Sequence, residues 1–207
     1  MRRLVRTSAT LGIIGINVVF FLAVLIASIF LPSLWSYIAL TPSYIIHGER
    51  LWTIITAMFM HAGLFHLFAN MFSLLFLGSF LERLIGQKRF LGIYFGAGII
   101  GSLMYVFFSS GSNIPAIGAS GAIFGVAGML AVLTPKMPVY ILFIPIAMPM
   151  WLGVVLIMAV LWALSISAGL PIGNSAHLGG LLAGLFYAFY LKYKYPRKTK
   201  MISNHFS

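Results

Sequence analysis

Apolar residues run through this chain in blocks too long for the core of a soluble domain. Six blocks stand out, at residues 11–31, 63–84, 90–109, 115–133, 150–168 and 175–193. Each approaches the length of about 20 helical residues that crosses a hydrocarbon core of about 30 Å. The pattern predicts an all-α polytopic membrane protein with six transmembrane helices. Residues 137–168 are too long for one straight span, and Pro145 and Pro149 should break them into an irregular or interfacial lead-in and a helix. The first long connection, 32–62, is apolar for a loop and carries Trp35, Tyr37, Tyr44 and Trp52, so short amphipathic pieces at the headgroup level are expected. The domain organisation expected is an N-terminal stretch 1–10, one membrane domain 11–193 and a basic tail 194–207.

Composition agrees: 61% of residues are hydrophobic and 7% charged, where a soluble domain is about a quarter charged. The formal charge of +11 does not point to nucleic acid, because the basic residues cluster at the ends of apolar runs. With six spans, Arg2, Arg3, Arg6, Arg83, Lys88, Arg89, Lys136, Lys192, Lys194, Arg197, Lys198 and Lys200 fall on one side and Arg50 on the other. That bias predicts cytoplasmic N- and C-termini. The first run is read as a retained span, since a secretory signal has a shorter apolar core and a small-residue cleavage site. The tail, rich in Lys and Arg, is expected to fix topology and touch anionic lipid.

Two absences limit the chemistry. The chain has no cysteine, which excludes disulfides, thiolate metal sites and a cysteine nucleophile. It has no aspartate and only Glu49 and Glu82 as acids, which excludes paired aspartates and a Ser-His-Asp triad.

Against that background the stretch Gly118-Ala119-Ser120-Gly121 stands out, because almost no side-chain bulk flanks the hydroxyl. On the predicted topology Ser120 lies about five residues into the fourth span, roughly 8 Å below its start. The second and sixth spans begin at the same face. They carry His66 with Asn70, an i, i+4 pair, and His177. Each has an ordinary reading by itself: back-bonding for the serine, an interhelical pair for His66 and Asn70, an interfacial role for His177. Their occurrence at one depth favours a site. Gly121 and Gly125 after the serine, and Gly180 and Gly184 after His177, would let the fourth and sixth helices pack closely. That packing would bring Ser120 within reach of His177, a base able to activate a weak nucleophile. Oxyanion donors would be backbone N–H groups near Ser120 and the side chains of His66 and Asn70.

Together, HLFAN (66–70), GASG (118–121) and AHLGGLLAG (176–184) resemble the motifs of the rhomboid family of intramembrane serine proteases, in family order. The resemblance implies a rhomboid-like helical bundle, with Ser120 as nucleophile, His177 as general base, and His66 and Asn70 as oxyanion-stabilising groups. Gly118 and Gly121 belong to the serine motif, His61 matches a supporting histidine, and Glu82 matches a structural glutamate. One feature departs from the family: the usual Trp-Arg pair of the first loop is replaced by Arg50-Leu51-Trp52-Thr53. By resemblance the partners are transmembrane protein substrates and the lipid bilayer, with no cofactor and no metal. The oligomeric state is left open. The expected location is a prokaryotic cell membrane, with the site toward its outer face. Three rivals are a catalytically silent relative that binds membrane helices, a small transporter or channel with the histidines as proton relay, and a zinc site built from His61, His66 and His177.

Overall fold

The computed structural model describes residues 8–141 and 144–204. Arg2, Arg3 and Arg6, which entered the charge argument, lie outside them. Helix α1 (Ala9–Phe30) is apolar around its whole circumference, yet it buries only the stripe Ala9, Thr10, Ile13, Asn17 and Phe21. The opposite side exposes Val19, Ile26, Ile29 and Phe30. An apolar helix buried on one side only suits a lipid surround. A helix start leaves backbone N–H groups without partners, and here one carboxylate meets them. The Ala9 and Thr10 N–H groups and the Ser8 and Thr10 hydroxyls all donate to Glu82, at 2.7–3.0 Å.

The first connection folds into the expected short pieces: α2 (Leu34–Ile38), α3 (Pro42–Ile46), α4 (Thr53–Thr56) and a 3-10 turn (Ala57–Phe59). Arg50 and Trp52 anchor it despite the altered pair. The Arg50 guanidinium lies 4.5 Å and 3.7 Å from the centroids of Tyr37 and Tyr44, and it donates to the Ser36 carbonyl at 2.6 Å. The Trp52 indole N–H donates to the Tyr37 carbonyl at 2.8 Å.

The second apolar block forms α5 (Leu64–Ser73), a π-helical turn (Leu74–Gly78) and α6 (Ser79–Ile85). Gly86, at φ +84°, then turns the chain directly into α7 (Gln87–Phe108). This sharp corner requires the left-handed backbone that glycine adopts freely.

Residue 115 was expected to begin the fourth span, and the structure corrects this. Residues 114–118 are not helical: Ala116 and Leu40 exchange backbone hydrogen bonds, and the Gly118 N–H donates to the Ala57 carbonyl at 2.9 Å. Gly118 has φ +122°, which no helix accommodates, so α8 starts only at Ser120 and ends at Leu133. Ser120 is therefore the first residue of its helix rather than a residue five positions inside it.

Helix α8 is the centre of the bundle, with 12 of its 14 residues buried. Glycines carry its contact with α10 (Asn174–Lys194). A Cβ on Gly180 would overlap the Gly121 carbonyl oxygen, and one on Gly184 would overlap that of Gly125. Helix α7 joins the same cluster, since a Cβ on Gly101 would stand 2.7 Å from the Ala176 carbonyl oxygen.

The lead-in to the fifth span is an antiparallel hairpin, β1 (Pro138–Ile141) with β2 (Ile144–Pro149), paired Val139 to Met148. It rests on α9 (Met150–Ser167) where Gly153 leaves room for Val139. The tail contains a further helix, α11 (Pro196–Asn204). Arg89, near the start of α7, lies 5.2 Å from the Tyr195 ring centroid, so the α6–α7 corner and the end of α10 share one end of the bundle.

Among the described residues four helices are long and apolar enough to cross a membrane: Ala9–Phe30, Leu64–Ile85, Gln87–Phe108 and Met150–Ser167. The fourth and sixth predicted spans differ for clear reasons. Helix α8 has 14 residues, about 21 Å at 1.5 Å per residue. Helix α10 is 21 residues long but is diluted by Asn174, Ser175, His177 and its glycines.

Candidate active site

Ser120 opens α8, His177 lies in the first turn of α10, and His66 and Asn70 are the third and seventh residues of α5. Three helix starts thus converge, and the glycine-mediated approach of α8 to α10 brings two of them into contact. Ser120 Oγ and His177 Nε2 are hydrogen-bonded at 2.8 Å. The His177 ring also stacks on Phe124, with centroids 4.7 Å apart and planes 29° apart. Phe124 lies one helical turn beyond Ser120, so one face of α8 presents the hydroxyl and holds the plane of the imidazole.

His66 stands against Gly118, close to the serine. A Cβ placed on Gly118 would stand 2.9 Å from His66 Nε2 and 3.6 Å from Ser120 Oγ. Only glycine lets the chain pass between them. The Ala62 N–H donates to His66 Nδ1 at 3.3 Å, which leaves the ring proton on Nε2, the nitrogen beside Gly118. Asn70 donates one amide hydrogen to the His66 carbonyl at 2.8 Å, and its other amide hydrogen is not used there. The Ser120 N–H stands at the start of α8, where helix N–H groups have no intrahelical acceptor.

His61 is a neighbour of this group rather than part of it. It is buried, its ring centroid lies 5.1 Å from that of His66, and its Nδ1 lies 3.3 Å from the Phe59 carbonyl oxygen. Burial, with His66 beside it, pushes its imidazole down to about 4, so it adds no positive charge near neutral pH. Among the described residues no three His, Asp or Glu side chains are grouped as ligands for a metal ion. Gly121, Gly125, Gly180 and Gly184 all lie in the α8–α10 contact, while Glu82 sits at the start of α1, away from the serine.

The four groups line one cavity of about 710 Å³. Its walls are mostly apolar, from Phe65, Ile123, Ile157 and Leu161, and the connection after α9 contributes Leu170, Pro171 and Ile172. Sequence reasoning missed two contributors. Phe124 was signalled only by an aromatic four residues after the serine. The Ala57 carbonyl that ties down Gly118 had no signal at all, since any residue supplies a carbonyl.

Residues 48–194 match the Rhomboid domain. RHOMBOID-like protein 5 of Arabidopsis thaliana is 37% identical over 164 residues, covering 78% of this chain and 50% of that protein. Rhomboid protease GluP of Bacillus subtilis (strain 168) is 36% identical over 148 residues, 70% of this chain and 27% of its own length. Inactive RHOMBOID-like protein 8 of Arabidopsis thaliana is 35% identical over 161 residues, 76% and 43% respectively. The chain thus spans half or less of the length of these curated relatives. Mitochondrial proteins of plant and yeast are also among its relatives, so kinship does not support the expected prokaryotic cell membrane in particular. With its apolar helices and a domain match over most of its length, this integral membrane chain belongs to the rhomboid family.

Proposed function

We propose that the chain is an intramembrane serine endopeptidase that hydrolyses peptide bonds in or near transmembrane segments through a Ser120–His177 dyad. The observation that carries this reading is the 2.8 Å contact between Ser120 Oγ and His177 Nε2. His177 takes the hydroxyl proton as Ser120 Oγ attacks the scissile carbonyl carbon. The negative charge that develops on the carbonyl oxygen is met by the Ser120 N–H, His66 Nε2–H and the free Asn70 amide hydrogen. Collapse breaks the C–N bond, and the leaving amine takes the proton from His177. A water then attacks the acyl ester, giving up its proton to His177, and Ser120 leaves with that proton.

The proposed topology is six spans with both termini in the cytoplasm, as one membrane domain between 11 and 193. The one-sided distribution of Lys and Arg along the sequence supports it, and Arg89 and Lys194 meet at the Tyr195 ring at one bundle end. The dyad belongs to the helix starts at the other end, toward the outer face. A substrate, by resemblance a single-span protein with small or helix-breaking residues near the cut, would enter laterally and unwind locally. The segment 165–174 is proposed as a cap over the cavity that Leu170, Pro171 and Ile172 help to line.

A second reading, a silent binder of membrane helices, is favoured by one observation: a relative of 35% identity is named as inactive. A serine-directed fluorophosphonate separates the two. It is expected to label the native chain and not Ser120→Ala; failure to label the native chain would favour the silent binder.

A further inference from the structure

The proton exchange with Ser120 engages only one nitrogen of His177. When Nε2 accepts from the serine, the proton of the neutral imidazole sits on Nδ1, and after the transfer both nitrogens carry one. Nδ1 is buried and makes no hydrogen bond among the described residues. Phe124 holds the plane of the ring but offers no acceptor along its edge. The chain has no aspartate. Glu82 is engaged by Ser8, Ala9 and Thr10 at the start of α1, and Glu49 lies exposed in the first connection. Asn70 is directed at His66.

Of the other buried side-chain polar atoms without a hydrogen-bond partner among the described residues, one lies on the same helix: Oδ1 of Asn174. Asn174 is the first residue of α10 and His177 the fourth. Residues three apart on a helix are neighbours on one face, about 5–6 Å apart between Cβ atoms. An orphaned acceptor and an orphaned donor thus lie within one side-chain adjustment, or one bridging water, of each other.

We propose that Asn174 is the positioning residue of the dyad: its Oδ1 accepts the Nδ1–H of His177, directly or across one water. This contact fixes the tautomer that leaves Nε2 free to take the Ser120 proton. It steadies the imidazolium once formed, and it does so without placing a carboxylate inside the membrane, where a charge is costly. The inference rests on the dyad reading.

The test uses the full chain in liposomes with a single-span substrate. It compares kcat, KM and the pH dependence of kcat for native, Asn174→Ala, Asn174→Asp and Ser120→Ala proteins. Loss of one buried hydrogen bond made to the reacting base is expected to lower kcat about tenfold in Asn174→Ala, with KM unchanged. Asn174→Asp is expected to keep a kcat near native. The carboxylate would favour the imidazolium, so the acid limb of its profile should move to higher pH. An acidic residue suits the first turn of a helix, so this variant is expected to fold even if the alanine variant does not. Native kcat in Asn174→Ala, or a native acid limb in Asn174→Asp, overturns the role of Asn174 while an inactive Ser120→Ala leaves the dyad standing. Cleavage by Ser120→Ala at the native rate overturns the dyad and this inference with it.

Discussion

At the residue scale, Gly118 shows how closely the site is built. Its φ of +122° is one that L side chains rarely adopt, and a Cβ there would press on His66 at 2.9 Å. Gly118→Ala is expected to cost about 1–3 kcal/mol in backbone strain and to displace His66, lowering both the unfolding midpoint and kcat. His66→Ala and Asn70→Ala should each lower kcat by about 10²–10³ with smaller effects on KM, as loss of an oxyanion donor does; single-turnover acylation rates would check this. Ser120, His177, His66 and Asn70 were legible in the sequence, because polar groups are few in an apolar chain and glycine spacing betrayed which helices meet. Phe124 was not, since an aromatic in a membrane helix is normally just packing. The Ala57 carbonyl could not be, because a backbone acceptor leaves no trace in the sequence.

At the scale of elements, the α8–α10 seam and the start of α1 make separate demands. A side chain at position 184 would occupy the space of the Gly125 carbonyl oxygen. Gly184→Val is therefore expected to destabilise the fold by about 3 kcal/mol through overpacking and to part Ser120 from His177, abolishing fluorophosphonate labelling. Glu82→Ala should remove the acceptor for α1 alone. A loss of about 1–2 kcal/mol is expected, as for a lost helix cap, seen as a lower unfolding midpoint with labelling of Ser120 retained. Equal loss of labelling in both variants would contradict this division. The helix boundaries were legible to within a few residues where polar or charged residues punctuate the chain, as at Gly86-Gln87. They were not at 115–119, where Pro, Ala, Ile and Gly suit either a helix start or the non-helical segment observed. The hairpin at 138–149 was signalled only as a break, because a short apolar run reads equally as strand or helix.

At the scale of the whole molecule, the asymmetry of basic residues makes a claim about topology. The chain has no cysteine, so single cysteines report position without background. In oriented vesicles, Glu49→Cys and Lys198→Cys, both at exposed positions, are expected to react with a membrane-impermeant maleimide from opposite sides. Labelling from the same side would contradict the six-span arrangement. Six apolar blocks were readable at this scale, but the uneven thickness of the bundle was not. Helix α8 is only 14 residues long because the segment before Ser120 is not helical.

The most direct measurement is cleavage of a single-span substrate in liposomes by native protein, Ser120→Ala and His177→Ala. The dyad requires cleavage by the native chain and a loss of at least about 10³-fold in both variants, as when members of a serine triad are removed. Cleavage at equal rates by all three would contradict it.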